Sequence, residues 1–207
     1  MSDKNLLKHT SLVGFEQSLL RARRLNPKKT LPSDGLITAA VLAPIFQKNG
    51  SLHVLLTQRS EMVEHHRGEI SFPGGKLDPS DPDLRSCALR ETHEEIGIPP
   101  DDVKVIEELD DFYTVATRFH VVPFVGVVPY PYKLSLSSRE IAAIVAPPLE
   151  IFFDPSRRSE DTLIFRGEPV TVVSYRWEGH NIWGATARIL QHLVELIESG
   201  ENEHELN

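Results

Sequence analysis

The residues of this 207-residue chain whose type and spacing could do chemistry lie in Arg90-Glu91-Thr92-His93-Glu94-Glu95-Ile96-Gly97. On a helix, residues three and four apart share a face, so Glu91, Glu94 and Glu95 cluster. Like charges at these spacings cost about 0.2–0.5 kcal/mol per pair, so the cluster is unfavourable unless a cation or Arg90 compensates. Carboxylate oxygens are hard ligands, and the cation they suit is Mg²⁺ or Mn²⁺. A solvated, glutamate-rich helix face is the plain alternative. The preceding loop, Ser71-Phe72-Pro73-Gly74-Gly75-Lys76, weighs against it. Two glycines let backbone approach a ligand closely, and Mg²⁺ completes its shell with waters and substrate phosphates. Carboxylates, an approachable loop and a lysine together suit the binding of a diphosphate.

The elements that must hold these residues can be read on either side. Asp81 is placed to cap the acidic helix, Pro82 suits its first position, and Gly97 can close it before Pro99-Pro100. Leu84, Ala88, Thr92 and Ile96 form its buried side. Upstream, strands are expected over Ile37–Phe46 and Leu52–Thr57, joined by the hairpin turn Gln47-Lys48-Asn49-Gly50. Further strands are expected at Val103–Leu109, Val121–Val128, Leu163–Phe165 and Val170–Tyr175, with a helix over Ser138–Val145. Leu12, Phe15, Leu19 and Ala22 mark a first amphipathic helix; Ala185, Ile189, Leu193, Leu196 and Ile197 mark a last one, before a polar, frayed tail from Glu198. No internal repeat or low-complexity linker interrupts this order. The pattern predicts a mixed α+β fold.

Composition narrows the function classes. Twenty-two Lys and Arg against 30 Asp and Glu leave a net charge of −8, which argues against a protein that coats nucleic acid. The run from Arg21 to Lys29 is a local exception, read as a solvated helix face and exit loop or as an anion patch for a phosphorylated substrate. Cys87 is the single cysteine, which excludes an intrachain disulfide framework and a cysteine-rich zinc module and suits a reducing compartment. No stretch approaches the ~18 apolar residues of a membrane span, and no signal peptide is evident, so a cytoplasmic protein with no membrane partner is expected.

From Gly75, fourteen residues lead to Arg90-Glu91-x-x-Glu94-Glu95-x-Gly97-Ile98, and this run resembles the Nudix box of Nudix hydrolases. The spacing is one residue longer than usual, and Asp81 or Asp78 stands where the family's early glutamate is found. Leu55-Leu56-Thr57-x-Arg59-Ser60, then Gly68 and Phe72-Pro73-Gly74-Gly75, resembles the extended motif of the coenzyme A pyrophosphatase subfamily. Glu64 takes the place of that motif's second arginine. Val122-Pro123-Phe124-Val125-Gly126 and Ile182-Trp183-Gly184-Ala185-Thr186-Ala187 are also similar to the subfamily, so the likeness runs over roughly residues 37–195.

The resemblance implies a Nudix-type α/β/α sandwich with a mixed β-sheet: an N-terminal helix and linker over 1–35, the hydrolase domain over 36–198 and a tail over 199–207. It implies metal-dependent hydrolysis of coenzyme A or acyl-coenzyme A to 4′-phosphopantetheine, or its acyl derivative, and 3′,5′-ADP. ADP-ribose, NADH or another nucleoside diphosphate derivative is the alternative substrate, and a non-catalytic nucleotide sensor the alternative role. Glu91 and Glu95 would ligate Mg²⁺ or Mn²⁺, with the Gly74 carbonyl as a further candidate ligand. Glu94 would add a ligand or help activate water, and Arg90 would orient the glutamates. Arg59, Gly74, Gly75 and Lys76 would bind substrate, with a strand-end salt bridge as the alternative for Arg59. Glu140 is a second candidate base, and His65-His66 could touch phosphates or face solvent. His93 is expected to be exposed; Trp177 and Trp183 are read as core residues, with stacking on adenine as the alternative. The partner is a small nucleoside diphosphate substrate, not nucleic acid, and the reading allows a homodimer.

Overall fold

The computed structural model describes residues 11–62, 68–114, 117–165 and 167–202. Glu64, His65 and His66 lie outside the described residues, so their expected roles gain no structural account. The apolar run of β1 (Ile37–Lys48) is buried on both faces, which is why it reads as a continuous hydrophobic stretch rather than an alternating one. Ala43 and Ile45 face one core, which also takes in α1 (Leu12–Leu25) and α3 (Gly184–Asn202). Ala40, Leu42 and Phe46 face a second core, closed by Cys87, Ala88 and Ile96 of α2 (Leu84–Ile96). Helices thus cover both faces of the sheet, the α/β/α arrangement of a mixed α+β fold.

Strand β1 pairs with β2 (Ser51–Val54), β5 (Gly74–Lys76) and, in parallel, β8 (Phe119–Val127). Beyond β8 lie β6 (Lys104–Glu108) and β7 (Phe112–Tyr113), both antiparallel to it, so the six-stranded sheet is mixed. Asn49 and Gly50 both take positive φ, +50° and +83°, the backbone a two-residue hairpin turn needs, so the expected turn forms. A second sheet has the order β4-β3-β9, with β3 Leu56–Arg59, β4 Ile70–Ser71 and β9 Ile141–Val145. A third consists of β10 (Arg158–Phe165), β11 (Glu168–Trp177) and β12 (His180–Trp183).

Several local expectations are corrected. The stretch Leu52–Thr57 is two strands: the chain leaves β2 at Leu55 and enters the second sheet as β3. Residues 138–145 are not a helix. A turn ends at Glu140, and Ile141–Val145 pairs antiparallel with β3, burying Ile141 and Val145. Cross-strand pairing overrides helix propensity in so short an apolar run, with Pro147 just beyond it. The helix cap is Asp83, not Asp81, and α3 continues to Asn202, past the expected start of the tail. Among the described residues, no helix is long and apolar enough to cross a membrane.

The N-terminal basic run is bound by acids. Arg23 donates to Asp110 at 2.8 Å and to the Glu108 carbonyl at 2.9 Å. Lys28 meets Asp111 at 2.8 Å and also pairs with Glu108. The backbone N–H groups of Lys29 and Leu31 donate to Asp110 and Asp111. The linker is therefore strapped along the β6–β7 edge, and these two cations are not held out as an anion patch.

Candidate active site

Helix α2 is built to hold its acidic residues in register. The Asp83 carboxylate accepts the Ser86 N–H at 2.7 Å at the first turn. At the last, Gly97 adopts φ +78° and its N–H donates to the His93 carbonyl. A side chain at Gly97 would be strained, and it would meet Ser135 at 2.8 Å. The N–H groups of Ser135 and Ser137 donate to the carbonyls of Ile96 and Glu95, so the 135–137 loop seals the helix end. That loop leads directly to Glu140.

Beside the helix runs the glycine loop. Strand β5 pairs with β1 through Ala39–Val41, and the Leu42 N–H donates to the Pro73 carbonyl, so the loop is fixed to the sheet. The Cys87 thiol donates to the Lys76 carbonyl at 3.3 Å, tying α2 to β5. Buried there, the thiol is pushed up to about 11, which marks it as structural rather than nucleophilic. Gly75 leaves room for Glu91: a Cβ at that position would lie 2.4–2.6 Å from the Glu91 carboxylate atoms. The second glycine is thus a cradle for an acid.

The acids themselves are held unequally. Glu95 is 3% exposed, and burial pushes its carboxyl up to about 8, despite a hydrogen bond from the Gly74 N–H at 3.2 Å and Arg59 at 3.8 Å. The charges of Glu91 and Glu140 raise it further. Burial also raises Glu91, against the pull of Arg90 at 3.0 Å. Glu94 is exposed and accepts from Arg90 at 3.0 Å.

Arg90 is the organiser. Its Nε and one terminal nitrogen donate to the two oxygens of Asp81 at 2.8 and 2.9 Å, a bidentate pair. The same nitrogen reaches the Lys76 carbonyl at 3.3 Å. The hydrogen bonds from Arg90 hold the Asp81 carboxyl down at about 2. Asp81, not Asp78, is therefore the early acid that touches the glutamate helix; Asp78 instead binds Ser80 in a local turn.

Of the residues singled out in the sequence, Glu91, Glu94, Glu95, Arg90, Arg59, Gly74 and Gly75 come together. Lys76 does not: it is exposed, and its ammonium sits 5.8 Å from the centre of the Phe119 ring. His93 is exposed, as expected. Trp177 packs partly against the larger core, whereas Trp183 is 39% exposed. The role of Asp81 as the partner of Arg90 was masked by its suitability as a cap.

The donor set at this site suits a divalent cation: hard oxygens, a buried carboxyl short of positive partners, and a glycine cradle that a side chain would fill. Among the described residues no three metal-ligating side chains already converge, so such a cation would draw part of its shell from water and phosphate.

Comparison with known proteins agrees with this architecture. A family model described as NUDIX domain matches residues 36–165. The chain is 34% identical over 184 residues to the uncharacterized Nudix hydrolase NudL of Citrobacter koseri, covering 89% of this chain and 95% of that protein. The NudL protein of Salmonella typhimurium is 35% identical over 185 residues, with the same coverage. Among solved structures, a MutT/nudix family protein from Enterococcus faecalis superposes with a TM-score of 0.53 at 14% identity, covering 96% of this chain and 75% of that one. A NUDIX hydrolase from Alicyclobacillus acidocaldarius gives 0.52 at 21% identity, covering 77% and 91%. At these identities the likeness is one of fold.

Proposed function

The chain belongs to the NUDIX domain family of hydrolases, and from that premise we propose that residues 36–198 form a metal-dependent pyrophosphohydrolase of coenzyme A or acyl-coenzyme A. The products are 4′-phosphopantetheine, or its acyl derivative, and 3′,5′-ADP. The observation that carries the reading is the buried carboxyl of Glu95 lying between the Gly74 N–H and Arg59, one helical turn from Glu91 in its glycine cradle. Arg59 and the Gly74-Gly75 pair are the residues of the coenzyme A-type motif, and β3 and the glycine loop carry them to the same carboxylate. An acyl-carrier diphosphate is therefore preferred over the simpler nucleoside diphosphates. Glu64, which reverses a charge of that motif, favours the second reading, a Nudix hydrolase of ADP-ribose or NADH.

In this reading Glu91 and Glu95 hold the cation, Mg²⁺ or Mn²⁺. When bound, the cation would neutralise diphosphate oxygens and acidify a water molecule. Arg90 fixes the acids by bridging Asp81, Glu91 and Glu94. Arg59 and the glycine backbone position the diphosphate, while Lys76 lies apart, against the Phe119 ring. Proton removal from the attacking water falls to Glu94 or Glu140. Glu94 shares its charge with Arg90, while among the described residues no hydrogen bond engages the Glu140 carboxylate. Its backbone is fixed on both sides, donating to Ser137 at 2.8 Å and accepting from Ser60 at 2.7 Å.

The deciding experiment compares turnover of coenzyme A, dephospho-coenzyme A and ADP-ribose with Mg²⁺ or Mn²⁺. Coenzyme A is expected to have the highest kcat/KM; a clear preference for ADP-ribose overturns the substrate assignment, and no turnover of any diphosphate overturns the enzyme.

A further inference from the structure

Two hairpins meet on the flank of the site and leave a cleft of about 260 Å³ between them. One wall is the β3–β4 hairpin, with Gln58 and the backbone of Gly68 to Ile70. The other is the β11–β12 hairpin, with His180, Asn181 and Trp183. The Thr186 hydroxyl, in the first turn of α3, donates to the Ile70 carbonyl at 3.1 Å and holds the walls at a fixed spacing.

Strand alternation decides where Trp183 points. Ile182 is fully buried opposite Tyr175, so its neighbour Trp183, opposite Ser174, must project from the other face. An indole 39% exposed is a large apolar surface to leave in water beside a cavity. Among the described residues no hydrogen bond engages the side-chain amides of Gln58 or Asn181, and each offers both donors and an acceptor. A ring face edged by amides is the chemistry that receives a planar heterocycle.

The cleft is also within reach of the acids. Gln58 immediately precedes Arg59, whose guanidinium lies 3.8 Å from Glu95. Ile70 is four residues from Gly74, the Glu95 hydrogen-bond donor, and four residues of chain span at most ~14 Å.

We propose that this cleft binds the heterocyclic base of the nucleoside diphosphate substrate, with Trp183 as the stacking platform. The proposal rests on the hydrolase reading above and makes Trp183 a determinant of specificity for nucleosides. The chain has two tryptophans, so Trp177→Phe leaves Trp183 as the sole indole reporter. In that variant, titration with AMP or 3′,5′-ADP without divalent metal is expected to quench the fluorescence saturably, and 4′-phosphopantetheine is not. Trp183→Ala should raise KM for the diphosphate substrate roughly 5- to 150-fold with kcat within about twofold, the range alanine substitution of a base-stacking ring gives. Trp183→Phe should recover most of that loss. Quenching by 4′-phosphopantetheine alone overturns the proposal, as does an unchanged KM in Trp183→Ala. Nucleotide quenching in a protein that hydrolyses no diphosphate would keep the cleft and remove the hydrolase reading instead.

Discussion

Carboxylates gather at two corners of the molecule, and their surroundings differ. At residues 107–111, Asp111 is buried and Asp110 half-buried, yet Arg23, Lys28, His120 and two backbone N–H groups meet them at 2.8–3.1 Å. Burial alone would raise both carboxyls, but these partners outweigh it and both lie below the ordinary carboxylate range. On α2 the most buried acid, Glu95, has one N–H and a guanidinium at 3.8 Å, and it is pushed up to about 8. Burial is common to both corners; compensation is not. A saturated acidic corner is a structural joint, while one left short of positive charge is poised for a cation supplied from outside.

The contrast can be broken or sharpened by experiment. Its largest consequence is for Glu95→Gln, which should cut turnover on the order of 10³-fold while the protein stays folded, because the neutral amide cannot hold the cation. Full activity in a diphosphate assay would remove α2 from the chemistry. Gly75→Ala comes next: a methyl 2.4–2.6 Å from the Glu91 carboxylate must displace it, and a displacement near 1 Å costs about 10²-fold in kcat. At the other corner, Lys28→Ala strips a buried aspartate of its cation and should lower unfolding free energy by about 2 kcal/mol in a urea titration. Its kcat should stay within about twofold of wild type; a large loss of kcat there would erase the distinction between the corners.

The smallest effect concerns pH. Folded Glu95 binds its proton up to about pH 8, whereas an unfolded glutamic acid releases it near 4.5. The folded state therefore holds more protons within that window, and stability falls as pH rises through it. His192, held low by burial, acts in the opposite sense below about 6.5, so the clean interval is pH 6.5–8. In chelator the melting temperature should drop by a few degrees across this interval, and Glu95→Gln should flatten the slope. Mg²⁺ should raise Tm more at pH 8 than at pH 6.5, since it binds the ionised form. A flat profile in the wild type would mean that Glu95 is not held protonated.

Much of the acidic corner on α2 was legible in the sequence because it is local: i, i+3 and i, i+4 spacing places Glu91, Glu94 and Glu95 together without knowledge of the fold. Gly97 announced the helix end for the same reason. Asp81 reads as the cap from sequence alone, yet Asp83 caps the helix and a guanidinium nine residues away claims Asp81. The joint at 107–111 was invisible, since Arg23 and Lys28 find their acids more than 80 positions downstream. Glu140 was placed on a helix because its neighbours are short and apolar; only pairing with β3 makes them a strand. Trp183 shows the same limit, since the face of a strand that meets solvent is set by its neighbours.

The strap along the β6–β7 edge also bears on how the chain is made. Helix α1 leaves the ribosome before its partners: Asp110 and Asp111 follow some 80 residues later, and Ser199, which accepts a hydrogen bond from Asn26, comes 173 residues after that asparagine. At ~5–20 residues per second, that last partner arrives roughly 9–35 s after Asn26. Throughout that interval the apolar stripe of Phe15, Leu19 and Ala22 has no α3 to cover it. Helix α1 is thus made well before the contacts that secure it.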